Sequence, residues 1–340
     1  MTSRDKLAGA FLATTDWANC VRMPLAGDAS NRRYERLRCD GGESAVLMDA
    51  PPDKGEDVRP FVRIANHLCD AGLSAPRIFA QNPEQGFLLL EDLGDDLFAR
   101  VVEDRPELET ELYTAATDVL IKLHKVKLPE LTLYNPARMA DLAALAFDWY
   151  QLAARGTVDN DAKAYFQSEF TGGLARHVSG PSVLIQRDYH AENLLWLPDR
   201  IGVARVGLLD FQDAMAGHPA YDLVSLLQDA RRDVPPSVET TMVEHYIRHA
   251  GVDPDTFLAS YAWLGVQRNL RILGVFSRLC LLGGKAHYVD LLPRVWDFVL
   301  RDIKHPTLAA IKPLILDSLP APDADILERL KDQCATHQPQ

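Results

Sequence analysis

Between Cys20 and Asp49 the chain reads as short segments of roughly alternating polarity, VRMPL, YERLRC and SAVLMDA, separated by Gly27-Asp28 and Asp40-Gly41-Gly42. Two-residue alternation between turn formers predicts a β-meander, and Pro51-Pro52 closes it. The period then changes. Phe61, Ile64, Ala65 and Leu68 recur at helical spacing, and Gly72 stands where a helix C′ residue belongs. PRIFAQN and FLLLEDLG return to strand character. Strands, one helix and more strands make a small α+β lobe.

Beyond Gly94 helical periodicity dominates. Leu108, Leu112, Ala115, Ala116, Val119, Leu120 and Leu123 line one face of a helix in PELETELYTAATDVLIKLHKV. Residues 137–178, 220–232, 236–250 and 255–281 are predicted helical as well, around a β-rich island, SVLIQRDYHAENLLW…GVARVGLLDFQDA. No internal repeat or low-complexity tract interrupts the chain before its polar last residues. The acidic EDLGDD stretch marks the predicted boundary. A β-rich lobe of residues 1–93 is expected to meet a mainly helical lobe of residues 94–340 at a hinge near 90–94, with a cleft between them.

Composition narrows the function classes. With 36 Lys+Arg against 48 Asp+Glu the net charge is −12, which opposes non-specific binding to nucleic acid or anionic membrane. An anionic ligand therefore needs locally placed cations or a metal ion. Cys20, Cys39, Cys69, Cys280 and Cys334 show no CxxC or zinc-type spacing and read as scattered thiols in a reducing compartment. MTSRDKLAGAFLATTDW lacks the apolar stretch of a signal peptide, and no run approaches membrane-spanning length. A cytoplasmic monomer is the expectation.

Chemistry concentrates in Gln186-Arg187-Asp188-Tyr189-His190-Ala191-Glu192-Asn193 and in the strand end LLDFQDA with Asp210. Each lies where an apolar strand ends, so a strand pair can present Asp188, Asn193 and Asp210 together. Two carboxylates and an amide suit phosphoryl transfer: one Asp orients and deprotonates a hydroxyl, while Asp and Asn oxygens hold Mg2+ against a triphosphate. D-x-x-x-x-N alone is a common polar turn; the flanking strands, the later Asp and the preceding acidic hinge make the combination specific.

Over residues 20–300 the sequence resembles the aminoglycoside-phosphotransferase-like small-molecule kinases, which share the two-lobed protein-kinase fold. Their catalytic loop reads H-x-D-x-x-x-x-N. QRDYHAEN matches it with Gln186 in place of a histidine that supports the loop rather than reacting. The resemblance implies Asp188 as catalytic base, Asn193 and Asp210 as magnesium ligands, and Asp222 of GHPAYDL as a brace on the loop's backbone N–H groups. A helix N-terminal carboxylate is the plainer reading of Asp222. GDASNRRYERL, VLMDAPP, FQDA, YDLVSLLQDAR, YAWLGVQRNLRILGVFSRL and GGKAHYVDLLP further resemble the bacterial kinases of the C1 hydroxyl of N-acetylmuramate and N-acetylglucosamine, which recycle cell-wall sugars toward UDP-sugars.

Protein kinases carry a phosphate-binding lysine on the third strand, where this chain has Met48, and no GxGxxG precedes it. Ser30, Asn31, Arg32 and Arg33 are the expected clamp on ATP phosphates, guanidinium forks being suited to phosphate oxygens; two surface arginines on a solvated turn are the alternative. Main-chain groups of Glu91 and Leu93 correspond to the hinge that reads adenine. For the sugar, Asp213, His190, Trp149 with Tyr150, and Arg231, Gln267, Arg268 and Arg271 are candidates, the arginines for a lactyl carboxylate. Their plainer readings are a capping carboxylate, an exposed loop histidine, core aromatics and solvated helix charges. The expected activity is ATP- and Mg2+-dependent phosphorylation of an amino sugar. Alternatives are kinases of another small alcohol (an aminoglycoside, choline or homoserine), a non-catalytic nucleotide-binding protein on the same fold and, last, a metallohydrolase using His190 and Glu192.

Overall fold

The computed structural model describes residues 3–25 and 31–337. Packing sorts the chain into two compact units, Met1–Pro129 with Ala191–Ala214, and Glu130–His190 with Met215–Gln340. This division falls elsewhere than residue 93, because the first helices beyond that point pack on a later short hairpin and both fall in one unit with the sheet.

In order the first unit begins with α1 (Ser3–Leu12), β1 (Val21–Leu25), β2 (Arg33–Arg38), β3 (Ser44–Asp49), α2 (Arg59–Asp70), β4 (Ile78–Asn82), β5 (Phe87–Glu91), α3 (Phe98–Asp104) and α4 (Glu109–Leu123). The strands form an antiparallel sheet in the order β1-β2-β3-β5-β4. Phe87, Leu88, Leu89 and Leu90 are all buried; β5 is covered on both faces, which is why its sequence runs apolar without alternation. The helix α1 has no counterpart in the sequence reading. Its Ala8, Phe11 and Leu12 pack on Leu37, Ala45, Leu47, Phe87 and Leu89, with the Phe11 and Phe87 rings stacked at 5.7 Å. Helix α2 buries the predicted Phe61, Ile64, Ala65 and Leu68, and Gly72 follows it at φ +77, a conformation that costs glycine little.

Continuing in order are α5 (Pro136–Ala143), α6 (Leu152–Arg155), α7 (Asn160–His177), β6 (Val183–Ile185), β7 (Leu194–Trp196), β8 (Val206–Leu208), β9 (Met215–Gly217), α8 (Ala220–Leu227), α9 (Pro236–Ala250), α10 (Pro254–Gly283), α11 (Leu292–Asp302), α12 (Lys312–Ser318) and α13 (Ala324–Asp332). The hairpin β7–β8 belongs to the first unit and the rest to the second. The predicted helix 137–178 is interrupted by a π-helical turn at Ala146–Gln151, and Gly156, at φ +78, ends α6. The long helix α10 lies so close to this turn that a Cβ at Gly274 would overlap the Leu145 carbonyl.

The reading of the cysteines as scattered thiols is corrected. Register pairs Val21 with Arg38, which sets Cys20 opposite Cys39 in a disulfide with a Cα–Cα distance of 4.3 Å. A second disulfide joins Cys280 of α10 to Cys334, 4.7 Å between Cα atoms. Cys69 is the free thiol. Neither pair is close in sequence; strand register and helix docking create them.

Neighbouring glycines of α7 test how tightly the second unit is packed. Gly172 is exposed with nothing near its missing Cβ, whereas a Cβ at Gly173 would overlap the Trp263 ring. That ring cannot yield readily: it packs on Phe170 and His177 and donates to Thr307 Oγ1 at 3.1 Å. Gly172→Ala is expected to stabilise the fold by about 0.5–1 kcal/mol through helix propensity. Gly173→Ala is expected to destabilise it by about 1–3 kcal/mol, so scanning calorimetry should find transitions moved in opposite directions.

Candidate active site

In the second unit β6 and β9 pair through Ile185 and Met215, and the chain then turns through Arg187, whose φ is +75. A bulky, charged residue enters this left-handed region only when its surroundings impose it. Here Asp222, in the first turn of α8, does so: its Oδ2 accepts the Gln186 N–H at 2.6 Å and its Oδ1 the Arg187 N–H at 2.9 Å. The Ser225 hydroxyl donates to the Arg187 carbonyl at 3.4 Å. Burial pushes the Asp222 carboxyl up to about 7, against the two N–H donors that favour its charged form. The side chain of Gln186, standing for the family's histidine, is buried, with its Nε2 making no hydrogen bond among the described residues.

Asp188 follows this turn directly. Burial works to raise its pKa, but the Arg268 and Arg271 guanidinium groups, then His190 and Arg187, outweigh it and hold the carboxyl below the usual range. The group is therefore an anion at neutral pH. His190 is 6% exposed, which overturns its reading as an exposed loop residue; burial lowers its pKa to about 4, so the imidazole is neutral. The other acceptor candidates divide sharply. Gln267 Nε2 donates to Tyr134 Oη at 3.1 Å and the Met139 carbonyl at 2.9 Å, and Arg271 donates to Tyr221 Oη at 3.2 Å. Arg231 lies over the Phe276 ring at 5.8 Å. Arg268 is buried to 4% exposure. Trp149 is half-buried within the π-helical turn, while Tyr150 is core, its hydroxyl donating to the Pro320 carbonyl at 2.8 Å.

In the first unit, register between Leu194 and Leu208 aligns the residues flanking β7 and β8, and the Leu209 N–H donates to the Asn193 carbonyl at 3.0 Å. This brings Asn193 Nδ2 to 3.5 Å from Asp210 Oδ2. Asp210 itself sits at φ +54 and accepts Gln212 Nε2 at 2.7 Å. One carboxylate and one amide offer hard oxygen donors of the kind Mg2+ takes alongside phosphate and water. Among the described residues no cluster of three or more His, Cys, Asp or Glu could hold a metal ion. Asp213 is exposed in the turn that follows, and Phe211 anchors that turn against Phe61 at 4.8 Å between centroids.

The expected phosphate clamp lies on the same unit. Ser30 falls outside the described residues. Asn31 hydrogen-bonds the Lys54 carbonyl at 3.3 Å through Nδ2 and Glu56 Oε1 at 3.2 Å through its N–H. Arg32 pairs with Glu56 at 2.9 Å, and Arg33 with Asp49 at 2.7 Å, a carboxylate shared with Arg4. Met48 is buried in the sheet. Sequence reasoning sought the missing cation near that position and overlooked Arg36 on the adjacent strand. Arg36 is 8% exposed and reaches Asp92 at 2.8 Å, Asp95 at 2.7 Å and the Gly94 carbonyl at 3.4 Å. It thereby fixes the acidic EDLGDD turn and, as hydrogen-bond donor, depresses the Asp95 pKa. The signal available was an arginine on a buried strand matched by a later acidic cluster. Glu91 pairs with Arg77 and Arg200, and its N–H donates to the Arg77 carbonyl at 2.8 Å; Leu93 is buried.

The described residues contain no helix long and apolar enough to cross a membrane. Curated relatives include N-acetylmuramate/N-acetylglucosamine kinases. That of Caulobacter vibrioides is 37% identical, with the match covering 92% of this chain and 95% of the relative. That of Pseudomonas aeruginosa is 35% identical over 88% of each. Among solved structures, choline kinase LicA from Streptococcus pneumoniae superposes with a TM-score of 0.59 at 13% identity, covering 91% of this chain and all of that one, a likeness of fold. The α+β fold, with its antiparallel sheet and mainly helical remainder, is thus that of the aminoglycoside phosphotransferases and choline kinases. The model of the phosphotransferase enzyme family matches residues 22–258, and the chain belongs to that family.

Proposed function

We infer that this chain is an ATP-dependent sugar kinase that transfers the γ-phosphoryl group to the anomeric hydroxyl of N-acetylmuramate or N-acetylglucosamine, a step in returning cell-wall sugars toward UDP-sugars. One observation carries the catalytic part: Asp188 is anionic in spite of burial, on a loop whose preceding backbone is held by Asp222. The relatives' names support the choice of acceptor.

In this reading Asp188 accepts the proton of the attacking C1 hydroxyl as the oxygen closes on γ-phosphorus and the β–γ bridging bond breaks, leaving ADP. An anomeric hydroxyl is more acidic than an ordinary alcohol, so orientation matters more than base strength. Asn193 and Asp210 would hold Mg2+, which supplies charge neutralisation to the triphosphate when bound. Asn31, Arg32 and Arg33 are the proposed contacts of the phosphates, with Ser30 beside them in sequence, and the turn at Glu91 and Leu93 that of adenine. Asp213 and Trp149 are kept as contacts of the sugar.

Mass spectrometry after incubation with ATP, Mg2+ and a mixture of amino sugars is expected to find a sugar 1-phosphate; ATP consumption only with choline, homoserine or an aminoglycoside would reject the acceptor. Asp188→Asn should lower turnover by at least about 10²-fold, with the apparent ATP affinity changed by less than about threefold. Turnover within a factor of two of the parent would remove Asp188 from its role. Asp222→Ala leaves two buried N–H groups without their acceptor, so thermal stability is expected to fall by about 2–5 kcal/mol, together with kcat.

A further inference from the structure

Two buried charged groups of the second unit are left without an explanation by the fold. Arg268 of α10 is 4% exposed, and its Nε has no hydrogen-bond partner among the described residues. Asp229, two residues beyond α8, is 1% exposed; its Oδ1 accepts the Arg231 N–H at 2.9 Å, while its Oδ2 has no hydrogen-bond partner. The two are not paired with each other. Both act electrostatically on His190, two residues beyond the proposed base, and Arg268 on Asp188 as well. Leaving a carboxylate oxygen or a guanidinium buried and unmatched is costly in a folded chain. Such groups are accounted for when a ligand completes them.

Resting on the sugar-kinase reading, we propose that Asp229 and Arg268 recognise the acceptor, Asp229 through a hydroxyl or amide N–H of the sugar and Arg268 through a carboxylate arm on it. On this part of α10 the donors beside Arg268 are engaged, Gln267 Nε2 with Tyr134 and Met139, Asn269 Nδ2 with Gln228 and the Gly265 carbonyl, and Arg271 with Tyr221, while Gln267 Oε1 and Asn269 Oδ1 have no hydrogen-bond partner among the described residues. Arg268 keeps its Nε donor unmatched. A guanidinium offers two parallel donors that match a carboxylate, and in a water-poor setting that match is strong. Asp229 is aimed by the main-chain N–H of Arg231, so one oxygen is fixed and the other is available. Arg268 is thus a specificity-determining residue, and Asp229 serves any acceptor with the shared sugar ring.

N-acetylmuramate and N-acetylglucosamine differ by a carboxylate-bearing lactyl ether, which makes them a matched pair of probes. Initial rates with ATP and Mg2+ are measured for each sugar with the full chain and with Arg268→Gln. The expected result is that kcat/KM for N-acetylmuramate falls at least about tenfold more than that for N-acetylglucosamine. Asp229→Asn is expected to lower kcat/KM for both sugars by similar factors, about tenfold or more, with the KM for ATP moved less than about threefold. Equal losses on both sugars in Arg268→Gln would mean that Arg268 only balances the charge of Asp188 and Asp222, and would overturn its role. Unaltered rates in Asp229→Asn would do the same for Asp229. Should Arg268→Gln lose its circular dichroism, Arg268→Lys, which keeps the charge without the fork, is expected to show the same change in ratio; an unchanged ratio there overturns the proposal. A parent chain that phosphorylates neither sugar rejects the functional reading itself, an outcome distinct from a lost preference between them.

Discussion

The carboxylate of Asp222 holding two successive N–H groups is the interaction on which the loop carrying Asp188 depends. A left-handed Arg187 costs of order 1–3 kcal/mol, and two N–H groups turned toward the protein interior cost more if unmatched. Both costs are offset by one acidic side chain with two acceptor oxygens, placed by the first turn of α8 against the end of β6. That carboxylate is itself fully buried, and the two N–H donors, with Arg268, counter the burial that raises its pKa. The consequence is directional: the residue after the turn, Asp188, leaves the backbone at an angle set by α8 and not by its own loop.

Charge in the two units is handled by different means. In the first unit a hydrogen-bonded ladder does the placing, since the strands β7 and β8 end together at Asn193 and Asp210. Arginines there are mostly tied to carboxylates: Arg32 to Glu56, Arg33 to Asp49, Arg36 to Asp92 and Asp95. For a chain of net charge −12 these pairs prevent acidic turns from repelling one another, and Arg36 is the most buried of the three arginines. In the second unit the balance is less complete. There the guanidinium groups of Arg268 and Arg271 lower the Asp188 pKa against the burial that raises it.

Helix α10 is the scaffold for that arrangement. Its 30 residues begin at an Asp253 cap and are buried on most sides, and glycine lets other elements approach it closely. A Cβ at Gly265 would meet the Asp302 carboxylate, and one at Gly274 the backbone of the π-helical turn. A helix clamped at such points cannot rotate without collision, so polar groups at 267, 268, 269 and 271 keep their headings. Most of those headings end in protein partners. That is why the unmatched Nε of Arg268 among them carries information.

Much of this was legible in the chain alone because it depends on local periodicity and residue chemistry. The apolar face of α2, the strand character of FLLLE, the extent of α9 and the spacing of Asp188 from Asn193 require only neighbours in sequence. Residue type likewise restricts what Asp, Asn and Asp at strand ends can do. What local pattern could not contain was anything created by register or by docking of distant segments. Cys20 meets Cys39 because two strands pair in one register, and Arg36 meets Asp95 across 59 positions. The covering of the sheet by α1 and the burial of His190 and Arg268 belong to the same class. Burial and pairing are properties of a side chain's surroundings, and for these residues the surroundings come from segments far away along the chain, so only the folded molecule decides them.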